Sequence, residues 1–317
     1  MFPNSVCPLS GRENGGCRAL PCQIQMKLMI IGLGLIGGSM AMALRNYPGL
    51  ECTAVTRNPV TRAEALRLGI IQSAWAVPED APIESQDILM LCLPPDACVE
   101  FIRKHAMRMH PGAVLTDVCG VKRPLKEAVD ALPNHPFHYL GGHPMAGKER
   151  GSFANATPDL YRGSHYILIP DADVPQEAIH EMQQIIQFIG CADSIITSPE
   201  EHDARIGYTS LLMHIMALAL CDQHLLCESY GFEGGSFRGA TRVAALDPEL
   251  WCELFWANRD TLAGLIDELE HNLHVYAELL RSGDRETLLE QLRASSDRKK
   301  EFDRLRGLDL LKSPLYK

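Results

Sequence analysis

Residues 26–37 read Met26-Lys27-Leu28-Met29-Ile30-Ile31-Gly32-Leu33-Gly34-Leu35-Ile36-Gly37. An apolar run of strand length meets three glycines spaced G-x-G-x-x-G, and helix-forming residues follow from Leu35. The glycine spacing alone is a weak sign. Between a strand and a helix it marks a turn built to hold a dinucleotide. Gly32 allows the tight turn, Gly34 lets the main chain approach a pyrophosphate, and Gly37 lets the helix lie close on the sheet. Free N–H groups at the helix start, those of Leu35 and Ile36 among them, then hold the anion.

Upstream of this stretch the periodicity vanishes. Residues 1–26 are expected to be a disordered tail or a mis-called start, with Met26 as the true first residue; a short extension is the alternative. Arg12, Glu13 and Arg18 lie there among Gly, Pro and Ser without an apolar core, which excludes a secretory signal.

Downstream, strand and helix patterns alternate to about residue 197. Strands are expected at 28–31, 52–56, 87–93, 113–117, 138–141, 165–169 and 192–196. Helices are expected at 35–46, 60–68, 96–109, 121–131 and 175–189, with Gly69 just past the end of the second. Alternation at this spacing means crossover units and a largely parallel sheet. The unbroken apolar run at 88–93 fits a strand buried on both faces.

Strand signals stop after residue 197. Ser198-Pro199-Glu200-Glu201 has the form of a capping box, and the helix it opens is apolar on most faces through 204–220. Long helices are expected at 248–281 and 285–305. The fold class is therefore α/β: a doubly wound, mainly parallel sheet over residues 27–197, then an all-α domain over 198–317. The apolar 204–220 face predicts packing against a partner helix or a second copy.

Bulk properties narrow the function. At ~150 residues per domain, 317 residues suggest two domains. A net charge of −10 argues against a nucleic-acid partner. No apolar run approaches the ~18 residues of a membrane span, so no membrane role is expected. Eleven cysteines cannot all pair, and none forms C-x-x-C, which reads as free thiols in a reducing cytoplasm. His271 and His274 sit three apart beside Glu268 and Glu270 without a third ligand at a diagnostic spacing, so no metal site is expected.

The second strand decides the coenzyme. An acidic residue at its end would accept from the ribose 2′-hydroxyl of NAD. The sequence there is Ala54-Val55-Thr56-Arg57-Asn58-Pro59. Thr56 can bond a 2′-phosphate and Arg57 can pair with it, which favours NADP. The alternative is a surface Arg57 with NAD bound.

A second distinctive stretch is Tyr139-Leu140-Gly141-Gly142-His143-Pro144-Met145-Ala146-Gly147-Lys148. A strand ends in paired glycines and a histidine at the sheet edge where such folds bind ligands. His143 is the candidate acid–base group. With Gly32–Gly38, Leu91–Pro94, Thr116–Lys122, Asp159–Pro170, His214 and Gly234–Trp251, this chain resembles the prephenate and arogenate dehydrogenases of tyrosine biosynthesis.

That resemblance implies a Rossmann-like domain followed by a dimerisation domain, with a homodimer formed through the C-terminal helices and an active site between the domains. It implies oxidation of a cyclohexadienyl substrate at C4 with loss of CO₂, His143 meeting the C4 hydroxyl. Arg242 matches a substrate-carboxylate arginine, with Arg238 a helper or an ion-pair partner, and His214 matches a second pocket histidine; a satisfied core histidine is the alternative for the latter. Leu93, Pro94 and Asp117 fall at coenzyme-side positions. Three departures stand out. Asp117-Val118-Cys119-Gly120-Val121-Lys122 has Gly120 where the family has a serine, leaving water or the Cys119 thiol to substitute. Lys148 replaces a usual Thr or Ser, as a substrate-carboxylate contact or a solvent-facing cation. Leu211 and Met213 replace a usual histidine and proline.

Two rival classes stand against this. A β-hydroxyacid-type dehydrogenase would need a lysine on a helix of the second domain, and residues 198–290 contain none. A non-enzymatic dinucleotide sensor would leave His143 without a task. No regulatory or mutase domain is expected after the last helix.

Overall fold

The computed structural model describes residues 26–148 and 151–305. The expected tail therefore lies outside the described residues, except that Met26 already belongs to the first strand.

Eight strands form one sheet: β1 (Met26–Ile31), β2 (Leu50–Val55), β3 (Ser73–Trp75), β4 (Ile88–Leu91), β5 (Val114–Asp117), β6 (His138–Pro144), β7 (His165–Pro170) and β8 (Asp193–Ile196). Their order is β3-β2-β1-β4-β5-β6-β7-β8. The first six in that order pair in parallel, β7 runs antiparallel to β6, and β8 is parallel to β7. The winding reverses beside β1, the position at which doubly wound sheets take ligands. The three-residue β3 escaped the sequence reading because it is too short to show a period.

Helices α1 (Leu35–Leu44), α2 (Pro59–Arg67), α3 (Pro95–His105), α4 (Arg123–Asp130) and α5 (Gln176–Phe188) connect the strands. The continuous apolar character of β1 follows from burial on both faces. Leu28 and Ile30 enter one core with Met40, Leu44 and Tyr166, while Met29 and Ile31 enter the other with Phe101 and Leu115. Gly69 ends α2 with φ 62°, as a left-handed C′ residue does.

The described residues divide into two compact units. One holds the sheet and runs to Cys119 and from Leu125 to Ser198; the other joins Gly120–Pro124 to the chain from Pro199 onward. The second unit is helical: α6 (Pro199–Ile206), a π-helical stretch over Gly207–Leu211, α7 (Leu212–Cys221), α8 (Gly235–Thr241), α9 (Pro248–Ala257), α10 (Arg259–Ser282) and α11 (Arg285–Leu305).

Three sequence expectations need correction here. The 248–281 helix is two helices, broken at Asn258, whose φ and ψ are −116° and 21°. Short helices occupy 227–229, 235–241 and 242–244, where glycines hid any pattern. An apolar run of membrane-span length does exist: counted through the π-helical stretch, Pro199–Cys221 is a helix of 23 residues with hydropathy 1.4 over its most apolar window. Polar His202 and Asp203 within it are buried and bonded to each other.

Candidate functional site

The glycine turn has the shape its spacing predicts. Gly32 has φ 102°, and a Cβ there would lie 2.5 Å from the Cys92 carbonyl. A Cβ on Gly37 would lie 2.0 Å from the Gly32 carbonyl oxygen, so α1 meets the turn with no room to spare. At Gly34 no atom lies within 4 Å of that position. This open face borders a cavity of about 830 Å³ lined by Gly32, Leu33, Gly34, Thr56, Arg57 and Leu93 among others. Gly34 caps α1 without any side-chain bond, so the leading N–H groups of Leu35 and Ile36 belong to an uncapped helix start. The cavity, the close main-chain approach and the uncapped helix fit a dinucleotide.

The end of β2 is held by its own cation. Arg62 donates through Nη1 to the carbonyls of Thr56, at 2.7 Å, and Arg57, at 2.9 Å. Asn58 caps α2 by accepting from the Val60 and Thr61 N–H groups. Thr56 and Arg57 are thus fixed at the cavity wall, with two guanidinium groups and no carboxylate on the β2–α2 turn. Arg62 escaped the sequence reading; its place six residues after Thr56 was the available signal. Pro94 lies just before α3, at its N-cap.

The β5 end is buried and polar. Asp117 is fully buried; its Oδ1 accepts from the Cys119 N–H at 2.8 Å and its Oδ2 from the Tyr139 hydroxyl at 2.9 Å. These two bonds tie the carboxylate to the interior of the loop. Burial, and then the Asp117 charge, push the Tyr139 hydroxyl well above its ordinary value. The Cys119 thiol lies 3.5 Å from both the Cys98 sulfur and the Leu93 carbonyl. It is turned into the core, so its expected role as a substitute hydroxyl needs correction.

Gly142 explains how β6 reaches this edge. A Cβ there would fall 2.6 Å from the Asp117 carbonyl and 2.8 Å from the Tyr166 hydroxyl, so only glycine allows the approach. His143 follows at the carboxyl end of the parallel strands, partly buried and opposite Ile167 of β7. Lys148 is exposed and donates to the Asn155 carbonyl at 2.8 Å, which ties its own loop together.

The helical unit carries the remaining candidates. His214 on α7 donates from Nδ1 to the Ser210 carbonyl at 2.9 Å, which leaves Nε2 as an acceptor in the neutral ring. Burial lowers its pKa against the opposing effect of that bond. Trp251 of α9 stacks on the imidazole with centroids 3.5 Å apart. The turn carrying Arg242 packs against α7, so His214 and Arg242 share one part of this unit. Arg242 and Arg238 are exposed.

Gly120 and Lys122 also belong to this unit. Asp203 of α6 accepts from the Lys122 N–H at 2.8 Å and the Arg123 N–H at 3.0 Å. Burial opposes its charge, but His202 and the Arg123 and Lys122 main chain prevail and hold its pKa below the ordinary value. Trp251, Asp203 and Asn258 were not singled out from sequence. The Glu201-His202-Asp203 triplet inside an otherwise apolar helix was the visible signal for the second.

Comparison with known proteins adds an independent line. Residues 40–193 match the family model described as prephenate dehydrogenase, nucleotide-binding domain, and residues 198–294 match that described as prephenate dehydrogenase, dimerization domain. A cyclohexadienyl dehydrogenase from Zymomonas mobilis is 30% identical over 276 residues, covering 84% of this chain and 93% of its own. A prephenate dehydrogenase from Bacillus subtilis is 26% identical over 285 residues, covering 87% of this chain and 76% of its own. A crystal structure of prephenate dehydrogenase from A. aeolicus, in complex with hydroxyphenyl propionate and NAD+, superposes with a TM-score of 0.78 at 28% identity, covering 90% of this chain and 100% of that one.

Proposed function

The chain belongs to the prephenate dehydrogenase family, and from that premise we propose that it converts prephenate to 4-hydroxyphenylpyruvate and CO₂ with reduction of a nicotinamide coenzyme. The observation that carries this is the pairing of a dinucleotide turn after β1 with His143 at the same carboxyl edge of the sheet. A nicotinamide coenzyme, when bound, supplies the acceptor for the hydride leaving C4.

The chain's own groups would do the rest. His143 accepts the C4 hydroxyl proton as the alcohol becomes a carbonyl. Arg242 pairs with a substrate carboxylate through two parallel N–H bonds. His214, whose charged form burial disfavours, lines the pocket beside Trp251. The C1 carboxylate then leaves as CO₂, its bonding electrons enter the ring, and the C4 oxygen takes the proton back from His143 to end as a phenol. Aromatisation drives the reaction, so the protein mainly positions and polarises.

We infer NADP as the preferred coenzyme. The β2–α2 turn presents Thr56, Arg57 and Arg62 and no carboxylate. Arogenate is the alternative substrate, in keeping with the broader name of the Zymomonas mobilis relative. A homodimer through the C-terminal helices is supported by the large apolar side chains left exposed there, Met213, Leu220, Tyr230, Phe232 and Trp256 among them. A cytoplasmic location is supported by the free thiols of the described cysteines.

The test supplies purified protein with prephenate or arogenate and NAD+ or NADP+, following reduced coenzyme by absorbance. Prephenate with NADP+ is expected to give the highest kcat/KM, and silence in all four mixtures would end the proposal. His143→Ala should lower kcat by ~10²–10⁴-fold while coenzyme affinity holds.

A further inference from the structure

The loop after β5 carries Gly120, which offers no side-chain hydroxyl, and the structure holds the rest of that loop from a distance. Helix α4 starts at Arg123 with Lys122 before it, so no Ser, Thr, Asp or Asn stands at its cap. The first N–H groups of a helix need acceptors. Asp203, some eighty residues away in sequence, supplies them: Oδ1 accepts from the Lys122 N–H at 2.8 Å and Oδ2 from the Arg123 N–H at 3.0 Å. The same carboxylate accepts from His202 Nδ1 at 2.8 Å and Arg123 Nε at 3.3 Å. Its side chain is 1% exposed.

The arrangement extends past the carboxylate. Asn258, fully buried at the break between α9 and α10, donates to the Asp203 carbonyl at 2.7 Å and accepts from Arg123 Nη2 at 2.8 Å. Three pieces of chain are thereby locked together: the Gly120–Pro124 loop, the helix leading to His214, and the end of the helix that carries Trp251. A charge buried among donors that all point at it sets geometry more than it adds stability.

We propose that Asp203 is a positioning residue for the reaction, fixing the Gly120–Lys122 main chain in register with His214. This rests on the functional reading above, in which that loop faces the substrate. A glycine at 120 presents only main-chain groups, and main-chain groups are aimed by whatever holds the backbone two residues on.

The experiment compares wild type, Asp203→Asn, Asp203→Ala and Thr261→Ala. Thr261 contributes one long bond, at 3.3 Å, to Arg123 and does not touch the loop backbone. In Asp203→Asn an amide replaces one acceptor, so either the Arg123 or the Lys122 N–H loses its partner. For folded Asp203→Asn the expected result is a ~10–100-fold fall in kcat/KM for the dienol substrate, with coenzyme Kd unchanged. Hydrogen exchange at Val121–Arg123 should become faster while α10 stays protected. Thr261→Ala should match wild type in both readouts. Should Asp203→Ala fail to fold, Asp203→Asn and the exchange measurement still decide. An Asp203→Asn enzyme matching wild type, or losing substrate and coenzyme affinity in parallel with its melting temperature, would overturn the positioning role. A wild type inactive on every substrate would instead overturn the functional reading itself.

Discussion

Two glycines of the same turn should fail in opposite ways when each is changed to alanine. At Gly37 the new methyl would sit 2.0 Å from the Gly32 carbonyl oxygen and 3.0 Å from Cys92 Cβ, atoms that cannot swing aside. Relief requires α1 to move off the sheet, and overpacking of this kind costs ~1–3 kcal/mol or more. At roughly 2–4 °C per kcal/mol, the melting temperature should fall by about 2–12 °C. At Gly34 the methyl meets nothing, and φ is −87°, open to any residue. Exchanging glycine for alanine at an N-cap costs at most ~1 kcal/mol, so the apoprotein should melt within about 4 °C of wild type. Its defect should appear with ligand. A coenzyme present at a hundred times its Kd stabilises wild type by ~2.7 kcal/mol. A methyl where the pyrophosphate must approach should weaken binding at least ~10-fold, which leaves about half that stabilisation. The assay is thermal melting of wild type, Gly34→Ala and Gly37→Ala with and without NADP+. A Gly34→Ala protein that keeps the full ligand-induced rise would refute the assignment of this turn to the pyrophosphate.

Three further outcomes are expected. Arg57→Ala should weaken NADP+ by about 10–100-fold, the worth of a charge-assisted hydrogen bond of ~1.5–3 kcal/mol, and leave NAD+ within twofold; equal losses for both coenzymes would show that Arg57 only shapes the turn. Arg242→Ala should raise KM for the substrate with coenzyme affinity unchanged, and an unaltered KM would remove Arg242 from the binding site. Burial holds the folded-state pKa of His214 below its ordinary value, so the unfolded chain takes up the proton first as pH falls. The stability His214 contributes is therefore full above the unfolded value of ~6.5 and is lost as pH drops from there toward the folded value. Melting curves from pH 8 to 5 should show a shallower decline for His214→Gln, and an identical slope would count against this sign.

The parts of the fold that were legible are those written locally. The β1 run shows itself because both faces are buried, and Gly32 and Gly37 show themselves because glycine is obligatory where a carbonyl crowds the Cα. The place of His143 at the sheet edge was legible because Gly141-Gly142 precedes it, and Gly142 proves to be glycine for contact with the Asp117 carbonyl and the Tyr166 hydroxyl. What spacing leaves open is direction rather than residue type. Asp117 and Cys119 have the right chemistry for a ligand site, yet both side chains turn inward, to Tyr139 and Cys98. A spacing pattern fixes where a side chain starts, not which face of the loop it takes.

The helical unit was harder to read because its specificity lies in pairs far apart in sequence. Trp251 gains meaning only from its stack on His214, and Asn258 only from the Asp203 carbonyl it reaches. The break at Asn258 also carries no proline or glycine, so a continuous helix was the natural local reading; tertiary contacts with Asp203 and Arg123 reward the interruption. Gly120 joins these two levels. Read alone, it is a missing hydroxyl. Read beside Asp203, it belongs to a backbone that an acceptor on a distant helix holds two residues on. A serine introduced at 120 without Asp203 should therefore raise activity less than the same serine with Asp203 intact, and measuring kcat/KM for Gly120→Ser in both backgrounds tests that dependence; equal gains would mean that the loop is aimed by its own sequence.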